Sequence, residues 1–192
     1  MNPKKVIFLD RDGTINRESA DYIKSWEEFE FLPGSLEALA RLTRKGYTLI
    51  LITNQSAVGR GFVAQQTLDH THSHMRAAVA EAGGRIEGVF FCPHRPDENC
   101  ACRKPKPGLV RQACERYGID PADSIMIGDS ARDILCGRNA GCGMTILVRT
   151  GNGLEAEKAL ADQNAHPDVV TGDLLQAVAI IDDPFYLRKY FR

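Results

Sequence analysis

The chain contains no apolar run near the roughly 18 residues that a membrane-spanning helix requires. Its N-terminus, MNPKKVIFLD, has two lysines but only a short apolar stretch behind them. That stretch suits a strand, so no secretory signal is expected. An excess of one charge is also missing: 24 Lys and Arg against 25 Asp and Glu leave a formal net charge of −1. Such a balance gives neither a nucleic acid nor an anionic membrane an electrostatic footprint. Internal repeats and low-complexity tracts are absent, which excludes repeat arrays and solvated tails. The glycine-rich VGRGF at 58–62 lacks the Lys-Ser/Thr of a nucleotide-binding P-loop. The expectation is a cytoplasmic protein, monomeric by default, whose partner is a small molecule. Thiols stay reduced in that compartment, so the six cysteines read as metal ligands or packing residues before disulfides.

What is present is a recurring pattern of a short apolar run, a polar loop and a helical segment. VIFLD (6–10), YTLILIT (47–53), GVFFC (88–92), DSIMIGD (123–129), MTILVRT (144–150) and PDVVTG (167–172) read as strands. Helices are expected over 34–46, 65–84, 108–118, 131–141 and 173–181. In the first of these, Leu36, Leu39 and Leu42 share a face, and Gly46 supplies a stop. Strands alternating with helices predict a Rossmann-like, doubly wound parallel sheet, helix-covered on both faces. At 192 residues, 43% apolar and 26% charged, this is one domain, 1–181, followed by an aromatic and basic tail, 182–192. Between the first strand and first helix, the aromatics of DYIKSWEEFEFLPG suggest a packed flap.

In an open parallel sheet the chemistry sits beyond the carboxyl ends of the strands. The first strand ends in DRDGT, with Asp10 and Asp12. The second ends in TNQS, with Thr53, Asn54, Gln55 and Ser56. The third leads to RKPKPG, with Arg103 and Lys104, and the fourth ends in GDSARD, with Asp129 and Asp133. Any one of these is uninformative, since a lone DxD is usually a turn and GDxxxD can simply cap a helix. All four in order, each ending a strand, point to one site. Carboxylates so crowded need a cation, and a hard divalent ion such as Mg2+ fits. Lysine, hydroxyl and backbone donors then suit a phosphoryl group, whose transfer needs positioning and charge neutralisation.

The third strand opens a loop, FFCPHRPDENCACRKPKPG, that carries Cys92, His94, Cys100 and Cys102. Three thiolates and an imidazole with no open position suit a tetrahedral, structural Zn2+. From the residues alone, unrelated loop thiols or a redox pair at Cys100 and Cys102 stand as alternatives. HTHSH places His70 and His74 at i and i+4, but with no third ligand they read as a solvated helix face. Cys114, Cys136 and Cys142 read as small packing residues.

FLDRDGT, ITNQS, CRKPKPG and MIGDSARD together resemble the four ordered motifs of the haloacid dehalogenase superfamily of phosphohydrolases, over nearly the whole chain to about Gly153. DRDGTIN, EFEFLPG, TNQSAVGRGF, the Cys/His loop and LVRTGNG resemble in particular the branch that dephosphorylates heptose bisphosphates for bacterial surface polysaccharide. The resemblance implies a fold without a large cap domain. It implies Asp10 as nucleophile, Asp12 as general acid/base, and Thr53 and Lys104 as holders of the phosphoryl oxygens. It implies Mg2+ on Asp10, the Asp12 carbonyl and Asp129, and zinc on Cys92, His94, Cys100 and Cys102. Substrate contacts are implied for Arg103, Asn54, Gln55, Ser56 and the flap residues Glu18, Asp21 and Tyr22. Asp133 is expected behind the site. One position departs from the pattern: Ser130 stands where lysine is common. The histidinol-phosphate phosphatases, which share the zinc loop, are the rival branch, and NQSAVGRG and Arg103 favour the sugar bisphosphate.

Overall fold

The structure, a computed structural model, describes residues 5–183 and 190. Its strands are β1 (Val6–Leu9), β2 (Thr48–Asn54), β3 (Ile86–Cys92), β4 (Ser124–Gly128), β5 (Met144–Val148) and β6 (Val169–Thr171). They form one parallel sheet in the order β3-β2-β1-β4-β5-β6. The chain winds outward from β1 through β2 to β3, returns to β4 beside β1, and winds outward the other way. The switch point therefore lies between β1 and β4, where Val6 pairs with Ser124 and Leu9 with Ile127.

Alternation along each strand builds two cores. Ile7, Leu9, Leu49, Leu51, Ile125 and Ile127 face α1 (Ser35–Arg44), α3 (Gln65–Glu81) and α7 (Leu174–Ile181). Val6, Phe8, Ile50, Ile52 and Met126 face α4 (Gly108–Tyr117) and α5 (Ala131–Ala140). Both faces are covered, so β1, β4 and β5 are buried along their length, as their unbroken apolar character requires, while the edge strands β3 and β6 are only partly buried. Leu39 and Leu42 are fully buried and Leu36 packs at the edge of the same cluster. Two short helices escape the sequence pattern: α2 (Ser56–Gly59), a single turn, and α6 (Gly153–Asp162). The core-facing side of α6 amounts to little more than Ala156 and Leu160, too few apolar positions to stand out in the sequence.

The flap after β1 is packed. Asn16 bridges to Phe31, and Arg17 donates its backbone N–H to the Glu30 carbonyl at 2.8 Å. Trp26 stacks on Phe29 at 5.1 Å and on His74 of α3 at 5.4 Å, while Phe29 meets Phe31 edge-on at 5.0 Å. These contacts anchor the flap to α3 beside the switch point. Most of the aromatic tail lies outside the described residues. Asp182 pairs with Arg41 and Lys45, and the Tyr190 hydroxyl donates to the Asp168 carbonyl at 3.3 Å. No helix among the described residues is long and apolar enough to cross a membrane.

Candidate active site

Asp10 leaves β1 with its backbone N–H bonded to the Ile127 carbonyl of β4, 2.9 Å away, and so sits at the switch point. Its Oδ1 accepts from the Arg11 backbone N–H at 2.7 Å and from the Lys104 ammonium at 2.8 Å. Lys104, 2% exposed, also reaches Asp133 at 2.6 Å and the Ile52 carbonyl at 2.8 Å. Two ion pairs and one carbonyl thus surround the buried ammonium. The Lys104 backbone is fixed as well. Asn54, ending β2, accepts from its N–H at 3.1 Å and donates to its carbonyl at 3.3 Å. Asn54 therefore spends its amide on holding the lysine.

Asp129 follows β4 and is enclosed by backbone. A Cβ on Gly13 would come within 2.1 Å of its Oδ2, and one on Gly151 within 2.2 Å. Both glycines have positive φ, 77° and 55°. The Asn152 backbone N–H donates to the same oxygen at 2.8 Å, and its amide donates to Glu18 on the flap. Asp133 accepts from the Ser130 N–H and hydroxyl at 2.9 and 2.6 Å. Ser130 thereby forms the capping box that starts α5, a structural use for the position that departs from the family pattern.

Asp12 is turned toward a ring of donors. Arg11 reaches its Oδ1 with Nε at 3.1 Å and Nη2 at 2.8 Å, Asn16 donates to Oδ1 at 2.9 Å, and Gln55 to Oδ2 at 2.8 Å. Gln55 also donates to Thr53 Oγ1 at 3.0 Å, which orients that buried hydroxyl. Burial alone would raise Asp12, but the Arg11 charge and the hydrogen bonds from Asn16, Arg11 and Gln55 outweigh it and hold the carboxyl below its usual range. Asp10 goes the other way: burial, then the Asp133 charge, push it up to about 7 against the pull of Lys104. Burial and the charges of Asp133 and Asp10 push Asp129 up to about 8.

Oxygens of Asp10, Asp129 and Asp133 lie within 4.8 Å of one another. Two buried carboxylates raised to neutrality or beyond form a donor set in want of a cation, and all-oxygen ligands select a hard one. The fit is therefore good, although Asp133 is already committed to Lys104 and Ser130.

Cys92, His94, Cys100 and Cys102 also converge. Their Sγ and Nδ1 atoms are separated by 3.3 to 3.5 Å along the five contacting edges. Bonds of about 2.3 Å to a tetrahedral ion imply edges of roughly 3.8 Å, so the cluster closes on a metal with little movement. Cys92 is raised by burial, whereas Cys100 falls to about 7 because hydrogen bonds from Cys102 and Cys92 outweigh its slight burial. No cysteine forms a disulfide, and Cys136 is buried as a packing residue.

Two cavities share Asp12, Glu18, Asn54 and Arg132. The inner one, about 70 Å3, holds Asp10, Thr53, Lys104 and Asp129. The outer one, about 260 Å3, adds Tyr22, Gln55, Ser56, Arg60 and Arg103. Asp21 is not brought to either; its carbonyl accepts from Lys24 at the surface. The sequence motifs did not single out Arg60, Arg132 or Asn152. Arg132 could have been found, since it lies one residue before Asp133 in the first turn of α5. Asn152 lies within LVRTGNG, but that stretch does not say which of its residues meets Asp129, because the approach is a long-range contact. A larger groove, about 490 Å3, runs between α3 and the edge strand β3 and contains none of the strand-end carboxylates. Convergent charge, not volume, locates the site.

A switch point lined by buried carboxylates, a buried lysine and a hard-cation donor set is suited to metal-assisted phosphoryl transfer. Residues 101–177 match the family model described as HAD-hydrolase-like. The D-glycero-beta-D-manno-heptose-1,7-bisphosphate 7-phosphatase of Bordetella bronchiseptica is 48% identical over 149 residues, 78% of this chain and 83% of that one. Its counterpart from Pseudomonas aeruginosa is 44% identical over 151 residues, 79% and 84% of the two chains. The crystal structure of the D,D-heptose 1,7-bisphosphate phosphatase from B. bronchiseptica, complexed with magnesium and phosphate, superposes with a TM-score of 0.85 at 42% identity, covering 92% of this chain and 97% of that one. The enzyme of the same description from Burkholderia thailandensis gives 0.70 at 36% identity, over 94% and 100%. The chain belongs to the haloacid dehalogenase-like hydrolases, in the family of the heptose-1,7-bisphosphate 7-phosphatases.

Proposed function

We propose that this chain removes the 7-phosphate from D-glycero-β-D-manno-heptose 1,7-bisphosphate, with Mg2+ as catalytic cofactor and Zn2+ as a structural one. The observation that carries the proposal is the pair of joined cavities. The inner one has the carboxylates and Lys104 for one phosphoryl group. The outer one carries Arg60, Arg103 and Arg132, none of which has an ion-pair partner among the described residues, beside sugar-sized polar groups. A substrate with an anion at each end of a polyol fits that division.

A Mg2+ held by Asp10, Asp129 and the Asp12 carbonyl would keep the carboxylates ionised and offset charge on the phosphoryl oxygens. A carboxylate oxygen of Asp10 attacks phosphorus as the bond to the sugar C7 oxygen breaks, and Asp12 donates the proton that the leaving alkoxide needs. Lys104 and Thr53 stabilise the transferring group. Water then attacks the aspartyl phosphate, Asp12 takes its proton, and inorganic phosphate leaves with Asp10 restored. In the resting arrangement Asp12 is ionised, the form the second half needs. A phosphoryl dianion arriving beside it favours the protonated form for the first half. Glu18, Tyr22 and Ser56 face the sugar, Asn54 and Gln55 wall the same cavity while their amides hold Lys104, Asp12 and Thr53, and the zinc loop aims Arg103 and Lys104 into the two cavities.

The test is phosphate release from the β and α anomers of the bisphosphate and from histidinol phosphate, with Mg2+ present. Preference for the β anomer is expected, as the relatives' names imply, and Asp10→Asn should abolish release. Preference for histidinol phosphate would overturn the assignment to a sugar bisphosphate.

A further inference from the structure

The mechanism leaves one buried, polar contact without a use. Between the exposed His70 and His74 of the HTHSH run lies His72, 6% exposed, facing inward from α3. Its Nε2 is 3.2 Å from Arg11 Nη1. Arg11 is 1% exposed, and its Nε and Nη2 are both spent on Asp12. The Phe29 ring lies 5.9 Å from its guanidinium carbon, and the Phe91 ring of β3 packs 5.9 Å from the imidazole. The guanidinium is thus fixed on one side by the acid/base carboxylate and on the other by an imidazole.

We infer that His72 is a positioning residue for the phosphatase reaction: it receives a hydrogen bond from Arg11 and so holds the arginine in the orientation that aims Asp12. The inference rests on the acid/base role proposed for Asp12. All five guanidinium N–H groups are donors, so His72 can serve only as a neutral ring with a free Nε2 lone pair and its proton on Nδ1. Burial, aided by the Arg11 charge, keeps the ring in that form by lowering it to about 3. Without this acceptor a buried Arg11 N–H has no partner, and the arginine is drawn away from the geometry it imposes on Asp12. His72 touches no reacting atom, so the loss should fall on turnover and spare substrate binding.

The test compares His72→Leu, His72→Gln, Arg11→Met, the double variant His72→Leu/Arg11→Met, and Asp12→Asn, each checked for folding by its melting transition. His72→Leu should lower kcat about tenfold with KM within about twofold. His72→Gln should recover most of that, because its amide oxygen can accept from Arg11. In the Arg11→Met background, His72→Leu should add nothing, since its route to Asp12 has been removed. An unchanged kcat in folded His72→Leu, an equal loss in His72→Gln, or an undiminished loss in the Arg11→Met background would each overturn the inference. Full activity in Asp12→Asn would instead sink the acid/base assignment on which it rests.

Discussion

Replacing Lys104 by methionine removes the ammonium while keeping an unbranched chain of similar length. In the structure it breaks the ion pairs to Asp10 and Asp133, 2.8 and 2.6 Å, and leaves the Ile52 carbonyl without its donor. Deleting one partner of a buried ion pair costs about 3–5 kcal/mol, mostly because the remaining charge has nothing to face. Against a total stability of about 5–15 kcal/mol this is a large fraction. With a urea slope of about 2 kcal/mol per molar, the unfolding midpoint of metal-free protein should fall by about 2 M. Turnover should drop by about 10²–10³, the usual effect of removing one preorganised charge from a transition state. Two further comparisons separate charge from packing. Asp133→Asn in the Lys104→Met background removes the surplus carboxylate but keeps an oxygen to cap Ser130, so it should restore about half of the lost stability. Saturating Mg2+ should restore stability as well, because the cation then balances Asp10. A Lys104→Met protein as stable as the parent, or one that neither change rescues, would refute the reasoning that the lysine is the counter-charge of the site.

Two other outcomes follow from the same geometry. Cys102→Ser removes a ligand from a cluster immediately followed by Arg103 and Lys104, so activity should fall about tenfold or more through misplacement of the loop, while Mg2+ dependence is unchanged. Metal analysis should find about one zinc per chain in the parent protein and a loss in the variant; full activity without zinc would show that the loop keeps its shape by other means. Metal-free protein should also become more stable on acidification. Asp10 and Asp129, at about 7 and 8 in the fold against about 4 unfolded, bind protons more tightly when folded. Stability should therefore rise as pH falls from 8 toward 5, and saturating Mg2+ should flatten the slope. Thermal melts with and without Mg2+ across that range measure it, and a metal-free protein that gains stability toward pH 8 would contradict the shifts.

The site was legible where residue type and strand position coincide. Asp10, Thr53 and Asp129 each follow a run of buried aliphatics, so the sequence places them at one edge of the sheet before any coordinates do. The Cys/His loop was readable as a candidate ligand cluster, and the structure does bring Cys92, His94, Cys100 and Cys102 together. Contacts between distant segments were not. HTHSH by itself does not mark the middle histidine, but the helix phase around it does: His72 lies four residues after Leu68, three before Met75 and seven before Val79, all buried; what could not be read was that Arg11 meets it. Arg60, Arg103 and Arg132 meet only through the packing of segments distant in sequence around the outer cavity. Asp21 lies beside Tyr22 in the sequence, yet only Tyr22 lines the cavity; its φ of 64° turns the backbone there.

Asp129 illustrates how a carboxylate can be steered by absence. Gly13 and Gly151, far apart in sequence, lie against the same oxygen and against each other, since a Cβ on Gly151 would also meet the Gly13 Cα at 2.6 Å. Their intolerance to substitution would stem from lacking a side chain rather than from having one, so neither would be found by deleting contacts. An alanine at either position should displace Asp129 and weaken Mg2+ binding without removing a single ligand. For an engineer this inverts the customary search: what fixes the Asp129 carboxylate includes two positions that contribute no side chain at all.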